Sequence, residues 1–429
     1  MHLIQDLEIS RSILPFFDFT NTELSRKRLL QFFSEAPSSL EEVLERQAII
    51  KSFIRNWSVL ERFNYQNIDF REAFEYCTYL SNKKITKSSN SFSKRLFLLL
   101  QNKTIKQKKS KLIQLVLLFD HLSSRFFNSI NSSLFPPSFQ EELKAFYLFV
   151  EQADIQGVSA IVKQNRFTNR QALRFEETLL RLEPRLLHKA WEALFTFEAH
   201  FSIAKGVLKY GFAFPHFQEG VFTITEFYHP LLKHPVKNSL SLTEVENMVL
   251  LTGPNMSGKS TLLKAIGLCV YLAHLGLAVP AAAFTLPFYS LLSININSKD
   301  DLMSGYSHFM HELMALKAAV QHAAHGSSCF VVFDEIFKGT DADDAQEILQ
   351  ETIDGLKPHQ NSLFFFSTHL QNLKNHLEVQ APEIKKCHIS CTLQDNKATF
   401  NYRLAEGWSE VKIGKLLFAQ TGLRELLRK

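Results

Sequence analysis

Val249-Leu-Leu-Thr-Gly-Pro-Asn-Met-Ser-Gly-Lys-Ser-Thr261 decides the reading of this chain. Gly253, Gly258, Lys259 and Ser260 fill every fixed position of the phosphate-binding pattern G-x-x-x-x-G-K-S. An apolar run, Met248 to Leu251, reads as a short buried strand feeding the glycines, and Thr261-Leu-Leu-Lys-Ala-Ile266 reads as the start of a helix. Glycines at 253 and 258 let the backbone turn successive N–H groups inward as an anion-binding nest. A helix starting near Lys259 adds its positive end. Lys259 is then expected to reach the β- and γ-phosphates of a nucleotide, and the Ser260 hydroxyl to take one site on Mg²⁺. Pro254, Asn255, Met256, Ser257 and Thr261 complete the loop. A plain glycine-rich turn before an ordinary helix is the bland alternative. All four fixed positions between a strand and a helix argue against it.

Two further apolar strands end in residues that suit the same chemistry. Cys329-Phe-Val-Val-Phe-Asp334-Glu335 lies about 75 residues after the glycines, where the next strand of such a sheet could sit beside the first. Asp334 would hold Mg²⁺ through water, and Glu335 would orient or deprotonate an attacking water. Leu363-Phe-Phe-Phe-Ser-Thr-His369 ends in a histidine that could donate to a γ-phosphate and sense the nucleotide, since ligands bind at the C-terminal ends of parallel strands. Asp300 to Glu312 reads as a loop entering a helix. Its Ser304-Gly305-Tyr306-Ser307 core would present N–H and hydroxyl groups to an anion, more easily a partner's than its own.

The rest of the chain sets the frame. A length of 429 residues suggests two or three domains, and 45% hydrophobic with 21% charged residues is ordinary for a globular protein. The 39 Phe point to a Phe-rich core, and a net charge of +5 leans only weakly toward anionic partners. Five scattered cysteines do not make a secreted disulfide scaffold, and Cys387, His388 and Cys391 read as a β-hairpin around Asp395-Asn396, without structural zinc. The N-terminus lacks a signal-peptide pattern, and the apolar run from Leu262 to Phe284 contains Lys264 and His274, so it reads as a buried helix rather than a membrane span. A cytoplasmic location is expected. Residues 1–211 read as a helical domain, with Ser39 and Glu42 as a capping box and a long run from Gln171 to Tyr210, broken at Pro184, that suits a rigid lever. Residues 212–429 alternate strands with helices, which predicts an α/β domain around a mainly parallel sheet. Between Asn82 and Leu118 the lysines and arginines, Lys106, Lys108, Lys109 and Lys111 among them, are accompanied by no acid. This is either a phosphate-contacting patch or a solvated helix face.

Together these residues resemble the MutS family of DNA mismatch-repair ATPases. Gly253 to Thr261 is similar to that family's phosphate loop, Asp334 to Thr340 with Asp344 to its second ATPase motif, Ser367-Thr-His369 to its switch histidine, and Ser304 to Glu312 to its signature. His229-Pro230, Gly407, Gly414 with Lys415 to Gly422, and Thr22 to Asn56 match further landmarks. The resemblance implies a helical core and lever followed by an ABC-type ATPase domain that works as a homodimer, using ATP and Mg²⁺ and binding DNA. Carried over, Asn255, Lys259 and Ser260 bind phosphates and Mg²⁺, Asp334 and Glu335 serve the metal and the water, His369 senses the γ-phosphate, and Ser307 acts across the dimer. Tyr306 and His308 stand where the family usually has a basic residue and Thr. The family's N-terminal mismatch reader carries a Phe-x-Glu wedge, and Phe139-Gln-Glu141 and Phe217-Gln-Glu219 fit that pattern only outside such a domain. The reading is therefore of a short MutS-like protein without that domain. Two functions stay open: a nucleotide-driven clamp on DNA, or a similar clamp acting on a protein partner.

Overall fold

A computed structural model describes residues 2–4, 7–85, 102–254, 257–296, 308–337, 340–368, 381–394, 397–409 and 426–427. The chain forms two compact units. One comprises Met1–Pro15, Ala36–Gln47 and Tyr210–Lys429, the other Phe16–Glu35 and Ala48–Lys209. Two N-terminal segments, Met1–Pro15 and Ala36–Gln47, thus belong to the unit that holds the sheets.

The second unit is built of helices whose ends are written in the sequence. Thr22 caps Glu23–Ser34 by accepting from Ser25 N–H. Thr168 and Gln171 form a reciprocal capping box on Asn169–Arg181. At the start of Leu40–Arg55, in the segment 36–47 that belongs to the first unit, Ser39 Oγ accepts the Glu42 N–H at 3.3 Å, but the Glu42 carboxylate turns to the Ser38 N–H at 2.7 Å, so the box expected there closes one residue early. Pro137 opens Pro137–Gln152 and Pro184 opens Pro184–Tyr210, both at helix starts, where a missing N–H costs nothing. From Ala190 to Val207 that last helix is buried on nearly every side, which makes it the unit's central spine. Phe197 lies at its heart, with ring centroids 4.5 Å from Phe127, 4.8 Å from Phe53 and 5.3 Å from Phe63. Here the many phenylalanines find their use. The buried Glu198 carboxylate accepts from Asn21 N–H, Ser25 Oγ and Tyr65 OH, and burial raises its pKa. Phe139 is wholly buried against Phe53, Phe135 and His200, so it is a core residue and not a wedge.

In the first unit, eleven described strands form two sheets: β1 (His2–Ile4), β2 (His216–Phe217), β3 (Phe222–Phe227), β4 (Asn238–Leu242), β5 (Met248–Thr252), β6 (Ala283–Leu286), β7 (Leu291–Asn295), β8 (Cys329–Phe333), β9 (Leu363–Thr368), β10 (Ile384–Gln394) and β11 (Lys397–Glu406). The larger sheet has the order β1-β7-β8-β9-β5-β10-β11 and is parallel throughout except for the β10–β11 hairpin. The smaller runs β2-β6-β3-β4. Strands β5, β8 and β9 are buried along their whole length, which is why they read as apolar runs, ending in Thr252 on β5 and in Ser367 and Thr368 on β9, rather than as alternating ones. One expectation needs correcting. β8 does not adjoin β5, because β9 lies between them and pairs with both.

The helix Lys259–His274 packs so closely that a Cβ on Gly267 would lie 3.1 Å from Ile294 Cδ1. It is buried from Ala265 to His274. His274 is satisfied there, with Nε2 accepting from Tyr289 N–H at 2.9 Å while Nδ1 faces the Val270 carbonyl at 2.8 Å. That geometry assigns the proton to Nδ1. No described helix is long and apolar enough to cross a membrane.

Candidate nucleotide site

β5 delivers the chain to Gly253 at φ 145°, and Gly258 at φ 98° starts the next helix with no capping side chain. Both angles are ones that residues with a Cβ rarely adopt, which explains glycine at the two ends of the loop. Between them Ser257 N–H donates to the Pro254 carbonyl at 3.2 Å. Lys259 folds back over the loop. Its Nζ donates to the Gly253 carbonyl at 2.9 Å and the Pro254 carbonyl at 3.2 Å, and the side chain is only 4% exposed. Among the described residues, the fully buried Ser257 Oγ has no hydrogen-bond partner. Ser260 is half-buried and Thr261 exposed at the helix's first turn. Asn255 and Met256 lie outside the described residues, as do Ser307 and His369.

The two acids come from the next strand but one. Lys259 Nζ is 3.9 Å from Glu335 Oε1, so the loop's lysine and the acid after β8 face one another. The register explains how. Leu251 stands opposite Ser367 on β9, while Phe333 on β8 stands opposite Phe366. The residues just past that pairing are thus Asp334 and Ser367, and Ser367 Oγ donates to Asp334 Oδ1. The same hydroxyl accepts the Glu335 N–H at 2.8 Å. Asp334 N–H donates to the Asn295 carbonyl at 3.1 Å. Glu312, 5% exposed, accepts the Phe337 N–H at 2.9 Å, and burial lifts its pKa to about 7 despite that bond.

A cavity of about 300 Å³ opens beside the helix start, lined by Tyr228, His229, Gly258, Leu262, Ile389 and Tyr402 among others. In the sequence His229 stands out only as part of a dipeptide, and Tyr402 does not stand out at all. Tyr402 sits at φ 54° in β11, with a ring edge that a Cβ on Gly258 would approach to 3.2 Å. Nothing local marks it. It reaches the loop through the β10–β11 hairpin, held by Asn238, whose Nδ2 donates to the Tyr402 carbonyl and whose Oδ1 accepts from Leu404 N–H.

These features fit a magnesium nucleotide on the chain's own chemistry. A buried hydroxyl without a partner among the described residues, an uncapped helix start, a buried ammonium and two carboxylates converge, and an aromatic-lined cavity large enough for a base adjoins them.

The candidate DNA patch fares differently. Lys108 Nζ is 3.1 Å from Glu176 Oε1, and Lys111 Nζ lies 3.5 Å from Glu72 and 3.8 Å from Glu75. Those two lysines hold helices together, whereas Lys106 is exposed and Lys109 half-exposed. The part of the basic stretch between 86 and 101 lies outside the described residues.

Comparison with known proteins points to one family. Residues 249–423 match the family model MutS domain V. Over 206 residues the chain is 33% identical to the DNA mismatch repair protein MutS of Bacillus licheniformis, covering 47% of this chain and 23% of that protein. The protein of the same name from Bacillus subtilis is 32% identical over 206 residues, 47% of this chain and 24% of its own length. That from Streptococcus uberis is 32% identical over 179 residues, 42% and 21% respectively. The aligned part thus spans about a quarter of the length of these relatives. Residues 249–423 thus match MutS domain V, and the chain is similar to MutS proteins over a little under half of its length.

Proposed function

We propose that the sheet unit is an ABC-type ATPase that binds MgATP and hydrolyses it to ADP and phosphate. The observation that carries this reading is the convergence of Lys259 and Glu335 beside an Asp334 held by Ser367. Backbone N–H groups of the 253–261 loop and Lys259 would bind the phosphates, and the cavity around Tyr228, His229 and Tyr402 would take the base. Ser260 and Asp334 would hold Mg²⁺, which when bound neutralises charge on the transferring phosphoryl group. Glu335 accepts a proton from a water aligned with the γ-phosphorus. The new P–O bond forms in line as the bond to the bridging oxygen breaks, and that oxygen leaves as ADP. His369 would sense the γ-phosphate, and Ser307 would complete the partner's site in a homodimer.

On this reading the nucleotide cycle opens and closes a dimeric clamp on DNA, in repair or recombination. Family likeness supports DNA as the partner, since the relatives are named for mismatch repair. The second reading, a clamp on a protein partner, is favoured by the engagement of Lys108 and Lys111 in ion pairs within the chain. Steady-state ATPase activity separates the two. It is to be measured alone and with duplex, mismatched, single-stranded and branched DNA, at two salt concentrations. Stimulation by DNA that fades with salt supports the first reading. Turnover indifferent to every DNA supports the second, and no turnover at all removes both.

A further inference from the structure

The turn that carries Glu335 is fastened from two sides by buried side chains. On one side Ser367, fully buried on β9, donates its hydroxyl proton to Asp334 Oδ1 and accepts the Glu335 N–H at 2.8 Å. On the other, Glu312 accepts the N–H of the fully buried Phe337 at 2.9 Å. The Phe309 ring meets Phe337 edge-on, with centroids 6.1 Å apart. Within this short span Glu335 has φ 51° and Phe337 φ 66°. Left-handed backbone at residues other than glycine persists only where the surroundings over-determine it. Here the two hydrogen bonds are that determination.

The geometry points to Ser367 and Glu312 as positioning residues for the Asp334–Glu335 acids. Neither reaches a reacting atom in the reading above, on which this inference rests. Ser367 acts twice, since one hydroxyl both aims the metal-binding carboxylate and fixes the backbone of the base. Its place in sequence adds meaning, because it stands two residues before the candidate sensor His369. Glu312 lies in the helix His308–Ala324, which begins one residue after Ser307. The turn is therefore tied to the strand that leads to His369 and to the helix that follows Ser307. A displacement of either tie moves the Glu335 carboxylate relative to Lys259. This gives a physical route by which sensing in one site and docking of the other subunit could set the rate.

The test uses the full chain with Ser367→Ala, Glu312→Ala, Glu312→Gln and the double variant Ser367→Ala with Glu312→Ala. Two readouts are taken: kcat and KM for ATP across a Mg²⁺ titration, and amide hydrogen exchange of residues 335–337. Ser367→Ala should lower kcat about tenfold or more with KM changed by less than about threefold. It should also raise the Mg²⁺ concentration needed for half-maximal activity, because Asp334 loses its donor. Glu312→Ala should lower kcat without moving the Mg²⁺ midpoint. Glu312→Gln, whose amide oxygen still accepts from Phe337, should keep kcat within about twofold of wild type. Both alanine variants should speed exchange at residues 335–337, and the double variant should lose less in kcat than the product of the single losses. Single-variant kcat and exchange equal to wild type in an actively hydrolysing protein overturn the assignment. If the wild type hydrolyses nothing, the ATPase reading fails on its own, and exchange alone then decides whether the two side chains fasten the turn.

Discussion

Replacing Gly258 by Ala asks whether backbone conformation or side-chain crowding dictates glycine at the start of the phosphate-loop helix. At φ 98° the residue lies beyond the centre of the left-handed well, so a Cβ brings a backbone penalty of about 1–3 kcal/mol. The new methyl would also stand 3.2 Å from Tyr402 Cδ1, a few tenths of an ångström inside a comfortable carbon–carbon separation. Tyr402 is 48% exposed and can swing away, so the backbone term should dominate. Gly220 serves as control, with φ 71° and nothing within 4 Å of an added methyl. Urea unfolding should find each Ala variant less stable by about 1–3 kcal/mol. Only Gly258→Ala should weaken ATP binding, by about tenfold or more, because only that glycine shapes the anion nest. In a Tyr402→Ala background the stability loss from Gly258→Ala should persist. If instead it shrinks below about 0.5 kcal/mol, crowding and not φ is the cause, and the conformational argument is wrong.

Other consequences can be checked with the same protein. Glu335→Gln should slow turnover by roughly 10²–10⁴-fold, about 3–5 kcal/mol of barrier, while still binding ATP and accumulating as a closed dimer on size-exclusion chromatography; unchanged turnover removes Glu335 as the base. Replacing Lys106 and Lys109 by Ala should reduce the slope of log K against log salt for DNA by up to about 2, whereas Lys108→Ala should leave the slope alone and cost about 1–3 kcal/mol of stability through its pairing with the buried Glu176. Glu312 supplies a pH test. Its folded pKa of about 7 is above the ordinary value of 4.5, so the folded state holds the proton more tightly than the unfolded one. Its contribution is full below about 4.5 and is lost as pH rises through about 7. Unfolding free energy measured at pH 5 and pH 8 should therefore fall less with pH in Glu312→Gln than in wild type, and equal slopes would show that Glu312 does not titrate in that window.

Much of the site could be read from the sequence because its parts are local. The strands before Gly253, Asp334 and His369 are apolar runs, and the loop between β5 and its helix is a fixed pattern of glycine, lysine and serine. What escaped depends on pairing between distant segments. β7 carries a serine in its middle, and β1 is three residues long, so neither has a periodicity to find. β4 was legible in principle. Its Asn-Ser-Leu-Ser-Leu alternation buries Leu240 and Leu242 and exposes the serines between, a half-buried strand written in five letters. The double role of Ser367 follows only from the β8–β9 register, and that of Glu312 only from the packing of its helix on the 334–337 turn. Likewise Lys108 and Lys111 looked like part of an acid-free stretch because their acids, Glu176, Glu72 and Glu75, lie elsewhere in the chain.

The outermost strand of the large sheet has a consequence for how the molecule is made. His2, Leu3 and Ile4 pair in parallel with Leu292, Ser293 and Ile294, so β1 leaves the ribosome long before its partner, some 290 residues downstream. At about 5–20 residues per second of synthesis, that wait is roughly 15–60 s. During it the helical unit between them, a compact unit of its own, can begin to fold around its phenylalanines. β7 then emerges, residues 2–4 can cover one of its edges at once, and the other waits for β8. Assembly of this sheet is in that sense a closing of an early segment onto a late one, and it cannot be completed until most of the chain has been made.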